Sequence, residues 1–196
     1  AQEYAAMDMS IFDDVDAIIY VGGLSPKLEG EEMRVNYKGF KGGDRTSIEL
    51  PETQRQYIAE LAKTGKPIIF VHLSGSAVAL APEAEICDAI LQGWYAGQQG
   101  GTAIADVLFG DYNPAGRLPV TFYASDADLP DFGDYDMPGH TYRYFQGKPL
   151  FPFGHGLSFS KFKYRRAKVK NDVLRIRVKN ASRVDGDEVV QVYIRK

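Results

Sequence analysis

Two unbroken apolar runs constrain the fold of this chain more than any other feature: residues 16–21 (DAIIYV), closed by Gly22 and Gly23, and residues 67–73 (PIIFVHL). Neither alternates apolar with polar residues, as a strand with one wet face does, and both are short for a helix. Such runs read as fully buried strands, the habit of parallel sheets. Between them, Pro51 opens a segment that sets Tyr57, Ile58 and Leu61 on one side and Gln56, Glu60 and Lys63 on the other. That is an amphipathic helix with proline at its start, and Gly65 stops it. Residues 88–91 give a third strand, and residues 103–109 a helix after a glycine pair. The β-α-β-α alternation predicts an α/β domain, a three-layer sandwich with a mainly parallel sheet.

The texture then changes twice. From Ser125 to about Gly156 no period is sustained, and Asp, Pro, Gly and aromatic residues dominate, which predicts a long structured loop. Its aromatics, Tyr142, Tyr144, Phe145, Phe151 and Phe153, are expected mostly to pack. Beyond Leu157, short alternating stretches at 173–178 and 188–194 predict antiparallel strands of a β-sandwich type, too few to close one. The expected organisation is an α/β sandwich domain over residues 1–156, with its loop, and a partial antiparallel β-sandwich segment over 157–196. A start at Ala1-Gln2-Glu3 and an incomplete sandwich suggest a piece of a longer polypeptide.

Composition narrows the function classes. Hydrophobic residues at 44% and charged residues at 25% describe a chain that folds. A net charge of −3 argues against nucleic acid as a partner. The basic stretch 161–170 alternates with Phe162, Tyr164 and Val169, as the solvated face of a strand does. The single cysteine, Cys87, excludes an internal disulfide framework and reads as a small buried apolar residue. No apolar run approaches the roughly 18–20 residues that span a bilayer, so no membrane partner is expected.

The residues able to carry chemistry cluster in loops. Glu29, Glu31 and Glu32 follow the first strand, where ligands bind in open α/β sheets. Crowded carboxylates raise one another's pKa, the property a general acid needs near neutral pH. A solvated acidic loop is the plain alternative. No histidine or further aspartate stands at ligand spacing, so neither metal nor cofactor is expected. Gly42-Gly43 before Asp44-Arg45 suits a tight turn oriented by charge-assisted hydrogen bonds. Ser74 and Ser76 follow the 67–73 strand but lack the spacing of a nucleophile elbow. His140 and His155 lie in glycine-rich turns.

Residues 110–122, GDYNPAGRLPVTF, strongly resemble the G-D-x-N-P-[SA]-G-[RK]-L-P-x-T-[FW] signature of family 3 glycoside hydrolases. Lys66-Pro67, residues 94–101 (WYAGQQGG), 142–145 (YRYF), 151–158 (FPFGHGLS) and 188–193 (EVVQVY) are similar to other marks of that family, so the resemblance covers nearly the whole chain. It implies a barrel domain ahead of this chain, an α/β sandwich domain, and a fibronectin type III-like domain begun by residues 157–196. It also implies a retaining β-glucosidase or β-xylosidase that hydrolyses terminal β-linked sugars, in a periplasmic or secreted setting. The aspartate nucleophile would belong to the barrel, and the acid/base glutamate to the loop before Asp44-Arg45. Glu31 is the first candidate, Glu29 the second and Glu32 the third. This chain alone would then be inactive, holding half of a carboxylate pair. A catalytically silent accessory or carbohydrate-binding module of the same fold is the alternative reading. A nucleotide-binding α/β domain has only the glycine pairs in its favour.

Overall fold

The computed structural model describes residues 8–29 and 33–194. In chain order its elements are β1 (Ile18–Gly23), α1 (Pro26–Glu29), β2 (Phe40–Lys41), β3 (Asp44–Arg45), α2 (Glu52–Ala62), β4 (Ile68–Leu73), α3 (Ala81–Ile86), β5 (Ala89–Gln92), α4 (Gly100–Phe109), α5 (Thr141–Tyr144), β6 (Phe162–Lys170) and β7 (Val173–Asn180). Single 3-10 turns stand at Met9–Phe12 and Asp126–Asp128. They fall into two compact units, the first made of residues up to Gly97 with Val120–Pro152, the second of Gln98–Pro119 with the residues from Phe153 onward.

The first unit is α/β, as the strand-helix alternation predicts. β4 lies between β1 and β5 and pairs in parallel with both, Ile18 beside Ile68 and Ile69 beside Ala89. Ile68, Phe70 and Val71 of β4 are buried, as a central parallel strand requires. β1 departs from its expected full burial. Ile18 is buried, but Ile19 and Val21 are 46% and 58% exposed, because among the described residues β1 pairs on one side alone, with β4. α2 buries Ile58 and Leu61. Ile58 joins Leu24, Leu50, Phe70, Val78 and Leu80, while Leu61 joins Ile18 and Ile68. Cys87 is only partly buried against both clusters, and burial pushes its thiol up to about 11, so it stays protonated at neutral pH.

The end of β1 is clamped. Gln54 accepts from the Gly23 N–H at 2.7 Å and donates to the Gly23 carbonyl at 2.7 Å, tying the strand end to the first turn of α2. Gly23 has φ +125°, and a Cβ there would strike the Leu73 carbonyl. α3, which the apolar periodicity does not announce, is six residues long with Pro82 in its first turn. It carries the buried Glu83, which accepts from Arg55 of α2 at 3.0 Å; Arg55 also meets Glu49 at 2.7 Å. Burial pushes the Glu83 carboxyl up against the opposing pull of Arg55. The 125–156 loop contains two short turns of helix, the first closed by a capping box between Ser125 and Asp128. Phe145 packs edge-on against Tyr123 and Phe151 against Phe122, whereas Tyr142 and Tyr144 are largely exposed.

In the second unit, α4 includes the Gly100-Gly101 pair that was expected to precede it, and it ends on Gly110 in the left-handed region. Asn113 then acts as a hub. Its Oδ1 accepts from the Ser158 hydroxyl at 2.9 Å and the Phe159 N–H at 2.8 Å. Its Nδ2 donates to Ser160 Oγ and to the Asp185 carbonyl, both at 2.9 Å. Arg117 pairs with Glu188 at 2.7 Å. β6 and β7 form an antiparallel hairpin closed by Asn171 and Asp172, both with positive φ, the backbone that a two-residue hairpin loop needs. The third strand expected at 188–194 is not one. Alternation marks a segment able to pair, and here side chains take hold instead: Glu188 accepts from Arg117 and from the Tyr164 hydroxyl, and Gln191 donates to the Gly154 carbonyl at 2.9 Å.

Asn113→Ala should lower stability by about 3 kcal/mol, because it strands the Phe159 N–H and the Ser158 hydroxyl proton and takes a donor from the Asp185 carbonyl. Urea denaturation of the chain measures this, and an unchanged midpoint would contradict the hub.

Candidate functional site

Parallel pairing brings the carboxyl ends of β1, β4 and β5 together, and each is followed by a polar loop. After β1, α1 delivers Glu29; after β4 come Ser74, Gly75 and Ser76; after β5 come Trp94 and Tyr95. A fourth residue, Arg45, arrives from the β2–β3 hairpin, whose turn is made by Gly42 and Gly43, both with positive φ. These groups form one network at the carboxyl edge, where α/β sheets bind ligands.

Glu29 is its centre. The Tyr95 hydroxyl donates to Oε2 at 2.6 Å and the Ser76 hydroxyl to Oε1 at 3.1 Å. Ser76 Oγ in turn accepts from Arg45 Nη1 at 2.9 Å, while Arg45 Nε donates to the Ser47 carbonyl at 3.2 Å. Both carboxylate oxygens therefore act as acceptors. Arg45 Nη2 is buried and has no hydrogen-bond partner among the described residues. Burial lowers the Arg45 pKa, and the negative field of Glu29 and Asp126 opposes that shift. Gly75 leaves the room this requires: a Cβ there would stand 2.6 Å from the Tyr95 ring and 3.0 Å from Glu29 Oε2.

A second row of hydrogen bonds supports the Ser76 loop from beneath. His72, fully buried, shares a 2.5 Å contact between Nδ1 and Gln92 Oε1. Gln92 Nε2 donates to Ser74 Oγ at 3.2 Å, and Ser74 Oγ donates to the Ser76 carbonyl at 2.8 Å. Because an amide oxygen only accepts, His72 carries its proton on Nδ1 in this arrangement. Burial lowers the His72 pKa, with a smaller push from Arg45, so the ring is neutral at pH 7. Neither Ser74 nor Ser76 forms a dyad with His72, since both are engaged with backbone, Gln92, Arg45 and Glu29.

Of the three glutamates singled out from the sequence, Glu29 is placed in this network, while Glu31 and Glu32 lie outside the described residues. Asp44 and Arg45 do different work, Asp44 standing exposed and Arg45 reaching inward. His140 is held by the Pro138 carbonyl at 3.2 Å, away from these residues in the hydrogen-bond network. The sequence reading missed Tyr95 and treated Ser76 only as a nucleophile. Both could have been found from their places just past predicted strands, on the side where Glu29 also falls. Among the described residues no group of three or more His, Cys, Asp or Glu could hold a metal ion, and no helix is long and apolar enough to cross a membrane.

Residues 2–159 match the family model described as the glycosyl hydrolase family 3 C-terminal domain. The chain is 56% identical over 187 residues to a xylan 1,4-beta-xylosidase of Xylanibacter ruminicola, covering 92% of this chain and 22% of that protein. It is 37% identical over 174 residues to a periplasmic beta-glucosidase of Salmonella typhimurium, covering 79% of this chain and 23% of the relative. The crystal structure of a beta-glucosidase from Kluyveromyces marxianus superposes with a TM-score of 0.72 at 28% identity, over 88% of this chain and 21% of that one. The chain thus spans about a fifth to a quarter of the length of these relatives.

The Tyr95 hydroxyl is pushed up to about 12 from a usual 10, by burial first and then by its bond to Glu29. A folded-state pKa above the unfolded one stabilises the fold below about pH 10, and that contribution is lost as pH rises through 12. Spectrophotometric titration should show a phenol titrating near 12 that is lost in Tyr95→Phe. The fall in stability between pH 10 and 12 should be shallower in that variant.

Proposed function

The chain belongs to the glycosyl hydrolase family 3 C-terminal domain family, and on that premise we propose that it supplies the acid/base carboxylate of a retaining β-glycosidase acting on β-xylosides. The aspartate nucleophile lies in a barrel domain of the same polypeptide, and the residues described here are inactive without it. The observation that carries the reading is the network around Glu29. With both oxygens already committed as acceptors, Glu29 is suited to hold the start of the acidic loop. Glu31 is then the acid/base.

The chemistry needs the two carboxyl groups about 5–5.5 Å apart on either side of the anomeric carbon. The barrel aspartate attacks that carbon while Glu31 gives its proton to the departing glycosidic oxygen. Glu31, now a carboxylate, takes a proton from water as the water attacks the glycosyl-enzyme, and both residues return to their starting states. The 56%-identical relative supports xylose over glucose. The family match ending at residue 159 supports a domain division near 156, with residues 157–196 beginning a fibronectin type III-like domain. The relative named as periplasmic supports an exported setting.

The test is made in the full-length enzyme with aryl β-xylosides of good and poor leaving groups. Glu31→Gln should cut kcat/KM on the poor leaving group by about 10²–10⁴ and far less on the good one, whose turnover azide should restore by replacing water as the second-step nucleophile. Glu29→Gln should slow both substrates alike. The reverse pattern would move the acid/base role to Glu29, and no leaving-group dependence in either variant would remove it from this loop.

A further inference from the structure

The β6–β7 hairpin carries a charge pattern that folding does not explain. Between Lys161 and Asn180 stand nine Lys and Arg against the single Asp172, in a chain whose net charge is −3. The pairing register sorts them. Lys163 faces Lys179, Arg165 faces Arg177, and Lys168 faces Arg175 across the ribbon. Residues directly opposite share a face, so three like-charged pairs stack along one side, with Lys170 beyond them. The other face holds Tyr164 opposite Val178 and Val169 opposite Leu174. A bulge between Arg165 and Lys168, with Arg166 at φ 55°, keeps this sorting intact where an extra residue would otherwise invert it. All six paired cations are exposed, and none is in an ion pair among the described residues. Opposed like charges destabilise a ribbon, and a solvated strand face needs no more than polarity.

We propose that this basic face is a docking surface for an acidic polysaccharide, a xylan chain bearing uronic acid side groups. The inference rests on the xylosidase reading above and names a substrate feature that the acid/base site does not recognise. Cations two residues apart on a strand stand about 7 Å from one another, so the face offers a row of separate charges along its length and not a single point of attachment. A nucleic-acid duplex carries a charge every ~1.7 Å, and a chain of net charge −3 is a poor match for so dense a polyanion. An anionic membrane surface would be met by a face that also inserts apolar side chains; here Tyr164, Val178, Val169 and Leu174 lie on the opposite face, and Val173, across from Lys170, stands at one end of the basic face. Charge complementarity with a uronate-bearing glycan remains.

The experiment is affinity electrophoresis of the 196-residue chain through gels holding glucuronic acid-substituted xylan, with arabinoxylan free of uronate as the comparison. Retardation should occur only in the acidic xylan and should fade at high salt. Arg177→Glu with Lys179→Glu should weaken it about tenfold. The same double variant should melt higher than the parent, because each change replaces a like-charged pair by an opposite one; this shows that the loss of binding is not a loss of fold. Equal retardation by both xylans, no effect of the double variant, or equally tight binding to vesicles of anionic phospholipid or to duplex DNA would overturn the proposal. Hydrolysis of aryl β-xylosides by the full-length enzyme is read separately. Intact hydrolysis without acidic-xylan binding removes only the docking surface, and binding without β-xyloside hydrolysis removes only the enzymatic reading.

Discussion

The candidate site depends on the parallel pairing of β4 with a neighbour on each side. Because β1, β4 and β5 run the same way, in a register that sets Gly22 beside His72 and His72 beside Gln92, their carboxyl ends emerge together. Three loops far apart in sequence are thereby made neighbours, and Glu29, Ser76 and Tyr95 meet at hydrogen-bond distance. The buried apolar side chains of β4 hold that pairing in place, and Gln54 fixes the exit of β1 by satisfying both polar groups of Gly23. Hydrophobic burial thus sets the positions, and the polar network sets the orientations.

The network has a direction. Arg45 donates to Ser76, Ser76 donates to Glu29, and His72, Gln92 and Ser74 brace the same loop through a row that ends on the Ser76 carbonyl. Each hydroxyl both gives and receives, so the loss of one member leaves a buried donor or acceptor without a partner. That is a positioning device for the start of an acidic loop, and it gives a physical meaning to the glycine at 75, where any side chain would displace Tyr95. The family signature at 110–122 has a different job. Asn113 and Arg117 tie the second unit together through backbone and side-chain partners, so the segment that most clearly marks the family is structural in this chain.

The sheet was legible because its strands are continuous apolar runs and its helix α2 has a clear apolar stripe. α3 escaped because a six-residue helix offers too little periodicity, and residues 188–194 misled because alternation reports the capacity to pair and not the presence of a partner. At the site, an acidic residue after a strand was readable, but Tyr95 was not: its role is fixed by a neighbour 66 residues away in sequence. The opposed cations of the hairpin were hidden for a similar reason. A basic strand looks solvated until the register shows which charges face each other.

The central claim is that Glu29 anchors the loop from which Glu31 serves as the proton donor. It is tested most directly by a crystal structure of the full-length enzyme with a non-hydrolysable xylose-derived inhibitor. The account predicts a Glu31 carboxyl about 5–5.5 Å from the barrel aspartate across the anomeric carbon, with Glu29 still bonded to Tyr95 and Ser76. A Glu29 carboxyl at that distance from the aspartate, released from Tyr95 and Ser76, would contradict it.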